Sequence, residues 1–329
     1  MKTTKFLSLF LFAALTLSSC GDDNEDIIIK PSGGGSSSGA SNNSNKNTSG
    51  PAEAKYRYEF PKLKGGSSVV VVHKSILNKN TKDEGVNYSV EWDYNINAQR
   101  WSCYQLYSSI NYHSSYNVLR YGTNDPTVKN DGSLSATCQY PNDADLPVDY
   151  RFAEDPYKYS GYDHGHICPS ADRQRATECN YQTFYITNMQ PQYNIFNAGL
   201  WEKMEEDVRT WANQSDTLYV CKGGTIDKKA NIIEYVNRNS HQSSQVNDSH
   251  IPVPKYFFVA VLSRKGSQWQ AMGYWVEQVN ADRTNDNRKN YAVSIDVLED
   301  RTGIDFFCNL PDDIETNVEK TITPSYWFK

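Results

Sequence analysis

The chain has 329 residues, 38% of them hydrophobic and 22% charged, which is the composition of a soluble globular protein with room for one large domain or two small ones. One large domain is expected. A formal net charge of −6 excludes a surface that is basic all over, so any affinity for polyanions has to come from a local cleft or a bound metal ion.

Lys2 and Lys5 precede an apolar run over 6–17 that ends in Leu17-Ser18-Ser19-Cys20. The apolar stretch is too short to span a bilayer, and small residues follow it, so 1–19 read as a signal peptide. The cysteine behind those residues resembles a bacterial lipobox, in which Cys20 becomes the lipid-bearing N-terminus. The acidic cluster at 21–26 is similar to tags that send some bacterial lipoproteins to the cell surface. The expected address is the cell envelope, on the outer membrane and exposed at its surface. No other stretch of sequence is long and apolar enough to cross a membrane, so the expected anchor is lipid only.

From 31 to about 54 the chain is almost all Ser, Gly, Asn and Ala, which cannot bury enough apolar surface to offset its ordering entropy. Residues 20–55 are therefore expected to form a lipidated, disordered tether with a reach of about 25–30 Å. The folded domain is expected over 56–329. Short β-branched or aromatic runs at 69–73, 88–92 and 101–106, then at 218–221, 256–262 and 272–276, predict strands. Between the two sets, Leu200, Trp201, Met204, Val208 and Trp211 fall at helical spacing with charged residues interleaved. A second short helix is expected over 294–300. Strands dominate, so the expected class is α+β, with a central, mainly antiparallel sheet flanked by helices. Beyond Cys20 the cysteines are Cys103, Cys138, Cys168, Cys179, Cys221 and Cys308, an even set that in an exported chain points to disulfides of open pairing, with buried free thiols as the alternative.

The segment Gly161-Tyr162-Asp163-His164-Gly165-His166-Ile167-Cys168 crowds polar groups and a glycine between aromatic and apolar residues, the pattern of an active-site turn. A histidine with an unperturbed pKa near 6.5 is mostly neutral at pH 7 and can take a proton from water, while a carboxylate such as Asp163 can fix its tautomer. If the segment were extended, His164, His166 and Cys168 would share a face and, with Cys179, could ligate zinc. Downstream, Asn197 sits where the helix begins. It is suited to capping that helix, or to offering a neutral oxygen to Mg²⁺, a hard cation that keeps several waters. Glu205 follows about 12 Å along the helix axis, where it can orient water around such a metal.

These motifs resemble the DNA/RNA non-specific endonuclease family, the ββα-metal nucleases. The similarity runs from about Asn87 to Leu310, through Tyr162-Asp163-His164-Gly165-His166, Phe184-Tyr185-Ile186-Thr187-Asn188-Met189, the 197–205 stretch and Thr302-Gly303-Ile304-Asp305-Phe306-Phe307. The resemblance implies a ββα-metal motif and hydrolysis of DNA and RNA with little sequence preference, using one Mg²⁺ or Mn²⁺ ion. It implies His166 as general base, Asn197 as metal ligand, Asn188 in support, and Glu205 holding metal-bound water. Arg209 matches a family arginine on the same helix, and the upstream arginine that stabilises the transition state falls on Arg151. The departure is His164, where the family has arginine; a histidine there offers phosphate fewer donors, and His164→Arg would be expected to strengthen binding. Two other readings stand beside this one: a weak or inactive nucleic-acid-binding surface lipoprotein, and an interaction lipoprotein whose His/Cys cluster holds zinc.

Overall fold

The computed structural model describes residues 42–107, 118–122, 127–128, 138–236 and 251–329. The signal peptide, Cys20 and the first half of the expected tether lie outside them. In chain order the elements are β1 (Ser68–Ile76), β2 (Glu84–Asp93), β3 (Ala98–Leu106), β4 (Asp163–His166), α1 (Thr177–Gln182), β5 (Met189–Gln192) and α2 (Glu202–Asn213). These are followed by β6 (Thr217–Gly224), β7 (Ile232–Val236), β8 (Ile251–Pro254), β9 (Tyr256–Lys265), β10 (Gln268–Glu277), β11 (Ala292–Val293), α3 (Ile295–Thr302), α4 (Asp312–Glu319) and α5 (Pro324–Trp327). Each run predicted as a strand lies inside one of these strands, and the class is α+β as expected.

Seven strands hydrogen-bond in the order β1-β2-β3-β6-β9-β10-β11, each neighbouring pair antiparallel. The sequence of β9 explains why this sheet is covered on both sides. Its Phe257, Val259 and Val261 join one buried cluster while Phe258, Ala260 and Leu262 join another, and a strand apolar on both faces needs a layer on each. Helix α2 supplies one layer through Met204, Val208 and Trp211, which recur at helical spacing. Burying each such side chain contributes on the order of 1.5–3 kcal/mol. A helix this short is marginal alone, so packing on the sheet holds it. The other layer comes from α3, α4 and the segment between them, through Ile295, Leu298, Phe306, Ile314 and Val318. Ser294 caps α3 by accepting from Val297 N–H, and Gly303, at φ +74°, ends it in the left-handed conformation that glycine adopts without cost.

The packed chain begins earlier than composition predicts. Asn45 donates to Glu315 at 2.7 Å, the Asn47 N–H donates to Asn309 Oδ1 at 3.1 Å, and Asn309 Nδ2 donates to the Ala54 carbonyl at 2.8 Å. Residues 42–55 are thus fastened to the C-terminal part of the chain largely by side-chain amides, with Ala54 adding a small apolar contact, which is why they read as tether. The cysteines are likewise not bridged: all six beyond Cys20 are buried free thiols. Among the described residues no helix is long and apolar enough to cross a membrane.

Candidate active site

Strands β4 and β5 form a separate two-stranded ribbon in which Asp163 pairs with Gln192, His164 with Pro191 and His166 with Met189. The sequence predicts a turn at Gly165, but the structure has a strand there. The glycine serves packing, since a Cβ at this position would meet the Gln192 side chain at 2.3 Å. Alternation along β4 sets His164 and His166 on one face and Asp163 on the other. After β5 the chain enters α2 through a wide π-helical turn, Phe196–Trp201, kinked at Gly199, so that the β4-β5 ribbon, whose strands are joined through α1, leads into a helix.

His166 stands edge-on to Phe184, ring centroids 4.7 Å apart, and its Nε2 is buried with no hydrogen-bond partner. Burial pushes its pKa well below the usual 6.5, and the charges of Arg120, His164 and Lys222 act in the same direction. The imidazole is therefore neutral at pH 7 with a lone pair available on a nitrogen the protein does not occupy.

Asn197 does not cap α2; it lies inside the wide turn, where its Nδ2 donates to Asp163 Oδ2 at 3.0 Å. Asn194 donates to the same oxygen at 3.0 Å. With the amide hydrogens directed at Asp163, the carbonyl oxygen is the ligand end of Asn197, a donor that suits a hard divalent cation. Asn188 is different. Its amide donates to the Cys168 and Thr183 carbonyls and accepts from Cys168 N–H and Ser102 Oγ, so it is a fully bonded clamp behind the ribbon and has no free position for a metal.

On α2, Glu205 meets Lys222 of β6 at 2.8 Å, and Lys222 is wholly buried beneath the face of Trp201 at 4.5 Å. Burial raises the Glu205 pKa while Lys222 and Arg209 oppose the shift. Arg209 Nη1 donates to Asp172 at 3.1 Å, and Asp172 also accepts from Tyr104 Oη. A lysine in a strand covered on both faces was a readable signal, because a buried ammonium needs a carboxylate.

The two expected phosphate contacts are directed elsewhere. The Arg151 guanidinium donates to the Leu146 and Ala144 carbonyls and closes its own loop. His164 Nε2 lies 2.9 Å from both oxygens of Asp155, and its ring stacks on Tyr140 at 3.6 Å with an interplanar angle of 1°. The Arg120 guanidinium lies over the ring of Phe184 at 5.0 Å, the same ring that His166 meets edge-on, and its charge helps to lower the His166 pKa. Burial lowers the Arg120 pKa, and among the described residues no carboxylate is within ion-pair distance of it. No sequence motif marks Arg120; only the tertiary fold brings it here.

The zinc reading finds no support in the geometry. Among the described residues, the groups of three or more His, Cys, Asp or Glu within mutual ligand reach are His73, Asp143 and Asp145, and Asp296, Glu299 and Glu319. Neither contains His164, His166, Cys168 or Cys179. In the first, His73 Nε2 lies 3.1 Å from Asp143 and Nδ1 3.5 Å from Asp145, and these carboxylates hold its pKa up at about 9 against the effect of burial, so it bridges them as an imidazolium. That bridge fastens the segment carrying Tyr140 to β1.

The chain is similar to known proteins in sequence and in fold. The family model for DNA/RNA non-specific endonuclease matches residues 72–313. A nuclease of the cyanobacterium Nostoc is 33% identical over 190 residues, 55% of this chain and 63% of its own length. Bovine mitochondrial endonuclease G is 24% identical, over 56% of this chain and 60% of its own. The match thus spans less than two thirds of these relatives. The EndoG/EndoGI complex contains a chain that superposes with a TM-score of 0.51 at 19% identity, covering 69% of this chain and 85% of that one, which speaks for the fold. With most of its length matched by the family model, the chain belongs to the DNA/RNA non-specific endonuclease family.

Proposed function

We propose that the chain is a metal-dependent nuclease that hydrolyses phosphodiester bonds of DNA and RNA with little sequence preference, exported and held at the outer membrane by lipid on Cys20. The observation that carries the chemistry is a neutral, buried imidazole nitrogen that has no hydrogen-bond partner, next to the Phe184 ring over which lies an arginine that makes no ion pair among the described residues. His166 Nε2 takes the proton of an attacking water. Arg120 holds the phosphate, in the role the resemblance gives to Arg151, because its planar fork matches phosphate oxygens and no carboxylate among the described residues pairs with it. Asp163 and Asn194 orient the Asn197 amide, and Lys222 fixes Glu205 on the facing side of α2. Mg²⁺ or Mn²⁺, held through Asn197 with Glu205 close to its water shell, would supply the positive charge that stabilises negative charge developing on the phosphate.

Plasmid DNA, single-stranded DNA and RNA should all be degraded in the presence of Mg²⁺ and left intact in chelator. Full activity in chelator would overturn the reading. Asp163→Ala tests the orienting role: losing a group that aims a ligand costs about 10–100-fold in metal affinity, so the Mg²⁺ concentration for half-maximal rate should rise by that factor with the unfolding temperature near wild type. An unchanged Mg²⁺ dependence would mean that Asp163 does not set the Asn197 amide.

A further inference from the structure

Away from the ribbon, α3 and α4 pack side by side and bring several carboxylates together. Asp296 and Glu299 lie one turn apart on α3, and Glu315 and Glu319 one turn apart on α4. Ligand oxygens of Asp296, Glu299 and Glu319 all fall within 4.8 Å of each other. Glu319 is only 7% exposed, and its Oε1 is buried with no hydrogen-bond partner. Glu299 and Glu315 have partners but none that is positive: Glu299 accepts from Phe306 N–H at 2.7 Å, and Glu315 from Asn45 Nδ2 at 2.7 Å. Among the described residues no Lys, Arg or His is within ion-pair distance of these four carboxylates. The nearby Lys62 acts on Asp305 instead.

An isolated buried carboxylate is expensive, so the cluster has to hold either protons or a cation. We propose that Asp296, Glu299 and Glu319 form a calcium site that clamps α3 to α4, with Glu315 at its edge. The donor set decides the ion. Oxygen atoms alone, with no imidazole or thiolate, select a hard cation over zinc or copper. Mg²⁺ takes one or two carboxylates in strict octahedral geometry and keeps its waters, whereas Ca²⁺ accepts several carboxylates in a flexible shell of six to eight oxygens. The exposed Asp296 leaves one side of the shell open to water. Without the ion, burial and mutual repulsion push the pKa of Glu319 up to about 10 and that of Glu299 to about 8, the behaviour of acids lacking a counter-charge. The site lies on different elements from Asn197 and needs no part of the nuclease reading.

Thermal unfolding of the full chain, stripped with chelator and returned to CaCl₂ or MgCl₂, tests the site. Extracellular calcium modules bind in the range of about 10⁻⁴–10⁻³ M, so about 10 mM Ca²⁺ should raise the Tm by about 3–6 °C, and Mg²⁺ by less than half of that. Glu319→Gln keeps the shape and removes the charge; it should abolish the calcium-dependent rise, keep the metal-free Tm near wild type, and leave Mg²⁺-dependent nuclease activity unchanged. Glu299→Gln carries the same expectation should Glu319→Gln fail to fold. No rise with Ca²⁺ in the wild type, an equal rise with Mg²⁺, or an undiminished rise in a folded variant would each overturn the proposal.

Discussion

His166→Ala is expected to lower kcat/KM on plasmid DNA by at least about 10²-fold, the low end of what a general base contributes. The fold should survive, because the ring makes edge contacts with Phe184 and Tyr140 and its Nε2 holds no other group in place. The pH profile makes the assignment more specific. With His166 as the proposed base, the free enzyme must hold it neutral to react, so activity should fall on the acid side as this ring protonates. Burial and the neighbouring Arg120, His164 and Lys222 all oppose that protonation. The acid limb of kcat/KM should therefore have its midpoint below the ordinary histidine value of about 6.5, with the rate nearly flat from there to neutral pH. The same shift has a stability consequence. A histidine whose folded pKa is depressed binds its proton more readily when unfolded, so its contribution is complete above about 6.5 and is lost as pH falls toward the folded value. Rates from pH 4.5 to 8 at saturating Mg²⁺ check the claim: an acid midpoint at or above 6.5, or a His166→Ala variant that keeps a tenth of the rate, would remove His166 from the role.

Much of the architecture was legible because it rests on short-range pattern. The alternation that divides β9 between two cores, the helical spacing of Met204, Val208 and Trp211, and the Ser294 cap all announce themselves within a few residues. The resemblance singled out His166 and Asn197, since a motif in order can be read without three-dimensional knowledge, and the roles it implies for them are the ones proposed above. What stayed hidden depends on contacts between distant segments. Arg120 sits in a stretch with no periodicity and reaches His166 only through the fold. Asn45 and Asn47 read as tether because amides, unlike leucines, carry no pattern showing that they will be buried. Gly165 suggested a turn because glycine permits one, yet its small size serves Gln192 in a strand. His164 looked like a phosphate contact because of its place in the motif, whereas Asp155 nine residues earlier takes its Nε2.

Lys222→Met should cost more stability than any other single change considered for this site. The lysine is wholly buried, and removing it leaves Glu205 facing an apolar strand with its counter-charge gone. Breaking a buried pair from one side typically costs about 3–5 kcal/mol, because the surviving charge stays desolvated. In a domain of this size each kcal/mol moves the Tm by about 2–4 °C, so a fall of roughly 6–20 °C is expected. Methionine has similar length and can still lie under Trp201, so the loss would come from the orphaned carboxylate more than from a cavity. Adding Glu205→Gln separates the two causes. If the charge is responsible, the double variant should recover most of the lost Tm, since replacing both members of a buried pair is often close to neutral. Activity should not recover with it, because Glu205 is the group proposed to face the metal's water shell. A double variant as unstable as Lys222→Met would place the cost in packing, and one that regained full nuclease activity would show that Glu205 takes no part in the chemistry.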